Sequence, residues 1–142
     1  MVLRAKDIMH TDLLVMPMSS SVSEGARQMA ASRKGYVLVS EKGPPIAIVT
    51  EWDLIAKVLA IGRDPAQTTL GEIATSPLVT AGAETATEEI VALMDAKRIR
   101  RMLLTRNGVV IGMVTSNDVL AAFKSYVNKI SADIARMQPS AF

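Results

Sequence analysis

Two threonine–aspartate pairs stand out, each directly after an apolar run. Thr50 and Asp53 follow Ile46-Ala47-Ile48-Val49, and Thr115 and Asp118 follow Ile111-Gly112-Met113-Val114. Threonine at a helix N-cap with aspartate three residues on is a capping box, and that role alone accounts for either pair. The same arrangement presents a hydroxyl, a carboxylate and free backbone N–H groups at a helix N-terminus. Such a terminus attracts phosphate, and the carboxylate can accept both hydroxyls of a ribose. Two copies at equivalent positions favour a nucleoside site over coincidence. Arg98-Ile99-Arg100-Arg101 adds three guanidinium groups, either a solvated basic turn or a bidentate clamp for phosphate. The first half offers Arg33-Lys34-Gly35-Tyr36, with Gly35 where Arg100 stands, so the two sites differ in charge. His10 lies beside Thr11 and Asp12, where a capping or surface role competes with a catalytic one, and Trp52 could stack on a base or pack at an interface.

Other chemistries are excluded by composition. The 142 residues contain no cysteine and one histidine, which removes disulfides, thiolate nucleophiles, zinc ribbons and two-histidine metal sites within one chain. Neither GxxxxGK[ST] nor GxGxxG occurs. No enzymatic activity and no metal are expected. Sixteen basic residues against 14 acidic ones leave a net charge of +2, too balanced for a protein that neutralises many phosphates. Nucleic acid is therefore not an expected partner. With no apolar run of secretory or membrane-spanning length, a soluble, cytoplasmic protein is expected. One Trp, two Tyr and two Phe imply an aliphatic, methionine-rich core.

The elements that must position these residues repeat once. A shift of 65 aligns residues 8–56 with the second half without a gap: Ile8 meets Ile73, Met29 meets Met94, Gly43 meets Gly108, and Thr50 and Asp53 meet Thr115 and Asp118. Each half reads as strand, helix, strand, strand, helix. Short leaders at 5–9 and 70–74 precede extended stretches at 13–16 and 78–81. Ser21 and Glu24 form an S-x-x-E capping box, and Thr85 and Glu88 nearly the same. Strands follow at 36–39 and 46–49, and at 102–104 and 109–114, the latter pair joined by the hairpin signal Asn107-Gly108. Second helices start at Glu51 and Ser116. Halves of roughly 60 residues bury their own apolar faces poorly, so the two are expected to pack as one pseudo-symmetric unit.

The tail does not repeat. Leu120, Phe123, Val127, Ile130, Ile134 and Met137 are spaced 3, 4, 3, 4, 3, a heptad-like seam. Either the last helix packs along its own domain or the seam is intermolecular.

The two ordered sets of features resemble a tandem pair of cystathionine-β-synthase (CBS) domains, a Bateman module. They are Asp7-Ile8-Met9, the helix ending at Met29, the strands around Gly43 and Val49-Thr50-x-x-Asp53; then Glu72-Ile73, Glu88-Glu89, Met94, 98–101, Gly112, Thr115 and Asp118. Val-Thr-Glu-Trp-Asp and the Gly62-Arg63-Asp64-Pro65 connector look similar to archaeal stand-alone members. The resemblance implies an α+β fold of two β-α-β-β-α repeats, at 3–61 and 70–123, with a connector at 62–69 and a C-terminal helical tail at 124–142. It implies a regulatory, energy-sensing module that binds AMP, ADP, ATP or S-adenosylmethionine in two clefts, dimerises with a second copy and acts on a target protein. One cleft would use Thr115, Asp118, Met113 and Arg100 with His10, Val15 and Lys34. The other would use Thr50, Asp53 and Ile48 with Thr75, Thr80 and Ile99. In the family the Asp binds the ribose diol and the Thr faces the phosphate. Trp52 and Asn117 stand where many members carry a basic residue, which favours AMP or ADP over a triphosphate. The alternative is a scaffold domain whose clefts stay empty.

Overall fold

The middle strand of each repeat is apolar on both faces, so each repeat must be covered twice. Val37 and Val39 face the core of their own repeat, while Tyr36 and Leu38 alternate to the opposite side. A computed structural model, describing residues 3–137, shows what covers them. The elements run α1 (Ala5–Ile8), β1 (Val15–Pro17), α2 (Val22–Ser32), β2 (Tyr36–Ser40), β3 (Pro45–Thr50) and α3 (Glu51–Leu54), which continues as a π-helical turn over Ile55–Leu59. The second repeat gives α4 (Leu70–Ile73), β4 (Thr80–Gly82), α5 (Thr87–Lys97), β5 (Arg101–Arg106), β6 (Val109–Thr115) and α6 (Ser116–Ala135). Two three-stranded sheets result, β1-β2-β3 and β4-β5-β6. In each, the first strand runs parallel to the middle one through a helical crossover, and the third returns antiparallel. Tyr36, Leu38, Leu103 and Met113 form a buried cluster shared by both sheets, and it joins the repeats into one α+β unit.

The leader helices are exchanged between the repeats. Ala5 of α1 is buried with Ile90, Met94, Met102, Leu104 and Val114 of the second repeat. Leu70 and Ile73 of α4 are buried with Met29, Val37, Val49 and Val58 of the first. Two glycines permit the close approach. A Cβ at Gly25 would lie 2.7 Å from Leu70 Cδ2, and one at Gly112 would lie 2.6 Å from Met9 Sδ and 3.0 Å from the His10 carbonyl oxygen. Beyond α1, the His10 and Met113 backbones exchange both N–H···O bonds at 2.9 Å, and Ile48 and Thr75 do the same at 3.0 and 2.9 Å. The exchange is what makes both clefts joint products of the two repeats.

Local signals place most elements. Asn107 and Gly108 both have positive φ, 52° and 76°, as a two-residue hairpin turn of the primed type requires. Three expectations need correction. The first strands begin two residues later than 13–16 and 78–81, because Leu13 and Leu78 pack between the sheets instead. Thr85 and Glu88 do not cap α5: Ala86 is its N-cap, with no side-chain bond, and the Leu3 carbonyl accepts from the Thr87 N–H and hydroxyl. At α2 only half of the expected box forms: Ser21 accepts from the Glu24 N–H, but the Glu24 carboxylate turns to Arg27. Of the two arrangements left open for the tail, packing along its own domain is not the one α6 adopts. It has no buried residue, and Leu120, Phe123, Val127, Ile130, Ile134 and Met137 are all exposed. Residues 138–142 of the tail lie outside the described residues. No helix among the described residues is long and apolar enough to cross a membrane.

Candidate ligand-binding clefts

The first cleft opens where the second repeat's third strand delivers Thr115 to the N-terminus of α6. It has a volume of about 500 Å³. Thr115 caps the helix: its hydroxyl accepts from the Asp118 N–H at 3.1 Å, and the Asp118 Oδ2 accepts from the Thr115 N–H at 2.8 Å. His10, held against Met113 by the exchanged leader, reaches the same oxygen through Nδ1 at 3.0 Å. An ionised carboxylate only accepts, so Nδ1 carries the proton in this contact. Among the described residues, Oδ1 of Asp118 has no partner. Arg100, Lys34 and Arg33 supply cations around the opening. Lys34 is paired with the exposed Asp12 at 3.2 Å, and Arg101 lies 3.6 Å from Glu51.

Gly35, the counterpart of Arg100, leaves the space that the Arg101 and Glu51 side-chain ends occupy: a Cβ there would lie 2.5 Å from Arg101 Nη2 and 2.8 Å from Glu51 Oε1. Arg101 also sits over the Tyr36 ring, 5.9 Å from its centre. Tyr36 is buried beside the Leu14 backbone, and among the described residues its hydroxyl makes no hydrogen bond of good geometry. Burial pushes the phenol above its ordinary range, against the lowering effect of Lys34.

The second cleft is smaller, about 280 Å³, and differs in chemistry. Ile48, Leu78, Ile99 and Leu103 line it, with the hydroxyl residues Thr50 and Thr75 and the three arginines Arg98, Arg100 and Arg101. Among the described residues, no carboxylate is in its wall. Arg100 and Arg101 therefore border both clefts.

The structure gathers Thr115, Asp118, Arg100, His10 and Lys34 at the first cleft as the resemblance implied, but not Met113 or Val15. Met113 is fully buried between the sheets, and Val15 pairs with Leu38 at the start of β1. The second cleft gathers Thr50, Ile48, Thr75 and Ile99, but not Asp53 or Thr80. Asp53 is buried, and Thr80 pairs with Leu103 on an exposed edge. Trp52 borders neither cleft and is 68% exposed. Arg98 and Arg101, read in the sequence with Arg100 as a basic turn or a phosphate clamp, do border the clefts, while Tyr36 and Glu51 were not singled out as site residues; the signal for Glu51 was its place directly after Thr50.

Comparison with known proteins agrees with this architecture. The CBS-domain family model matches residues 5–60 and 70–125. A protein of Methanopyrus kandleri is 36% identical over 103 residues; these are 72% of this chain and 53% of that protein, so the chain spans about half of its length. The solved structure of a conserved Pyrococcus horikoshii protein superposes with a TM-score of 0.81 at 26% identity, covering 100% of this chain and 98% of that one. A hexameric CBS-CP12 protein from bloom-forming cyanobacteria gives 0.75 at 30% identity, covering 84% and 70%. With two matched copies over most of its length, an exchanged-leader pair of sheets and a Thr-x-x-Asp cap at each third strand, the chain belongs to the CBS-domain family as a tandem pair.

Proposed function

We propose that this chain is a regulatory module that binds one adenosine nucleotide, AMP or ADP, in the first cleft and performs no catalysis. Tandem CBS pairs are generally regulatory modules that bind adenosine ligands. The observation that carries the reading is the half-free carboxylate of Asp118, set at the N-terminus of a 20-residue helix in a cleft whose wall also holds Arg33, Lys34 and Arg100. In this reading Asp118 takes the ribose diol, Thr115 and the helix N-terminus face the phosphate, and Arg100 and Lys34 neutralise it. His10 orients Asp118 through the shared oxygen. The expectation that Met113 lines the adenine is carried by its backbone only, since its side chain is buried. A second copy covers the exposed faces of α3, its π-helical continuation and α6, where Trp52, Leu59, Leu120 and Phe123 lie open. S-adenosylmethionine is the competing ligand, and an empty-cleft scaffold the competing role.

A thermal-shift series with AMP, ADP, ATP and S-adenosylmethionine tests the reading. A ligand at 100 times its dissociation constant adds ~2.7 kcal/mol of stability. Stabilisation by AMP or ADP is expected. No stabilisation by any of the four would leave the scaffold role standing.

A further inference from the structure

The two Thr-x-x-Asp sites are related by the repeat, yet their carboxylates are in different states. Asp118 engages one oxygen, Oδ2, and its side chain is 28% exposed at the cleft wall. Asp53 is closed on both. Its Oδ2 accepts from the Thr50 N–H at 2.8 Å and the Thr50 hydroxyl at 3.2 Å, and its Oδ1 meets the Lys57 ammonium at 3.0 Å. Its side chain is 9% exposed. Lys57 is itself fixed, because its ammonium also donates to the Ile73 carbonyl of the exchanged leader at 2.9 Å. The repeat puts Ala122 where Lys57 stands, so no lysine can close Asp118 in the same way. A ribose diol would have to compete with the Lys57 ammonium for Oδ1 on a side chain that is only 9% exposed.

We infer that Lys57 is a specificity-determining residue that locks Asp53 and restricts ribose recognition to the first cleft. The second cleft keeps its arginines and apolar wall, without a diol acceptor, for ligands that present no ribose diol. The inference rests on the reading of Asp118 as the ribose acceptor given above, and its test separates the two.

Lys57→Ala installs the residue that the repeat has at Ala122; Lys57→Met keeps the methylene stem should the smaller side chain unsettle the fold. Carbodiimide coupling of glycinamide to the folded chain, localised by mass spectrometry of its peptides, reports the access of each carboxylate without any nucleotide. Asp118 is expected to label several-fold faster than Asp53 in the wild type, and either Lys57 variant is expected to remove that gap. Equal labelling in the wild type, or a gap unchanged in both variants, overturns the lock whatever the nucleotide does. Calorimetric titration with AMP is expected to give one site per chain in the wild type and two in Lys57→Ala, the added one lost with Asp53→Ala. Two wild-type sites, one of them lost with Asp53→Ala, overturn the inference and leave the first-cleft reading intact. A wild type that binds no AMP sinks that reading, and the labelling still decides whether Lys57 closes Asp53.

Discussion

Replacing Asp118 by alanine removes the first-cleft carboxylate that stands at the N-terminus of α6; the other two in the wall, Asp12 and Glu51, are paired with Lys34 and Arg101. Two effects follow, and the structure separates them. The helix loses the bond from the Thr115 N–H to Oδ2 at 2.8 Å and the tie to His10 at 3.0 Å, at a cost of about 1 kcal/mol of stability for a capping contact. The ligand loses its bonds to a charged acceptor, each worth roughly 1.5–3 kcal/mol. Because one oxygen is free, at least one such bond is at stake. At 1.4 kcal/mol per decade, this weakens AMP by about 10- to 150-fold. Calorimetry below the melting transition reads the affinity, and denaturant unfolding reads the stability. Asp53→Ala is the control and is expected to do the reverse. It breaks a nearly buried capping and ion-pair contact at a cost of about 1–3 kcal/mol of stability, and leaves AMP affinity unchanged. Folded Asp118→Ala protein with wild-type affinity would refute the ribose assignment and leave the pair as a capping box only.

Three further outcomes are expected. Arg100→Ala weakens AMP more than adenosine, which has no phosphate to lose; equal losses measured for both ligands would make Arg100 structural. Ile130→Asp with Ile134→Asp leaves the domain folded and weakens self-association, since both side chains are exposed in the single chain; light scattering that shows a wild-type monomer at micromolar concentrations would contradict the intermolecular seam. Tyr36→Phe removes a buried hydroxyl that makes no hydrogen bond of good geometry among the described residues, so denaturant unfolding should show a gain of about 1 kcal/mol; a loss of that size would mean the hydroxyl is bonded in the folded protein.

What could be read from the sequence was local. Asn107-Gly108 specifies its turn by backbone sterics, and Thr50 and Thr115 specify the starts of α3 and α6 by capping, so these elements stand where the residues put them. The repeat made the pairing of the halves legible, because a fixed shift of 65 keeps glycines, methionines and the Thr-x-x-Asp pairs in step. Contacts between distant residues were not legible. Nothing near Asp118 in the chain announces that His10, 108 residues away, bonds to it. The state of Asp53 was hidden for a different reason. Lys57 is only four residues on, but whether that pair forms depends on burial by β3 and on the Ile73 carbonyl of the exchanged α4. Thr85 misled because S/T-x-x-E patterns are short. The repeat register pointed to Ala86 instead, and the Leu3 carbonyl takes up the Thr87 donors there. The seam of α6 showed its periodicity but not its partner, since the same 3-4 spacing serves a core or a second helix.

A structure of the chain with AMP at saturation measures the central claim most directly. The account predicts the ribose hydroxyls within hydrogen-bond distance of Asp118 Oδ1 in the first cleft and the phosphate among Arg100, Lys34 and the α6 N-terminus. An empty first cleft at saturating AMP, or a nucleotide whose ribose lies on Asp53 in its place, would contradict it.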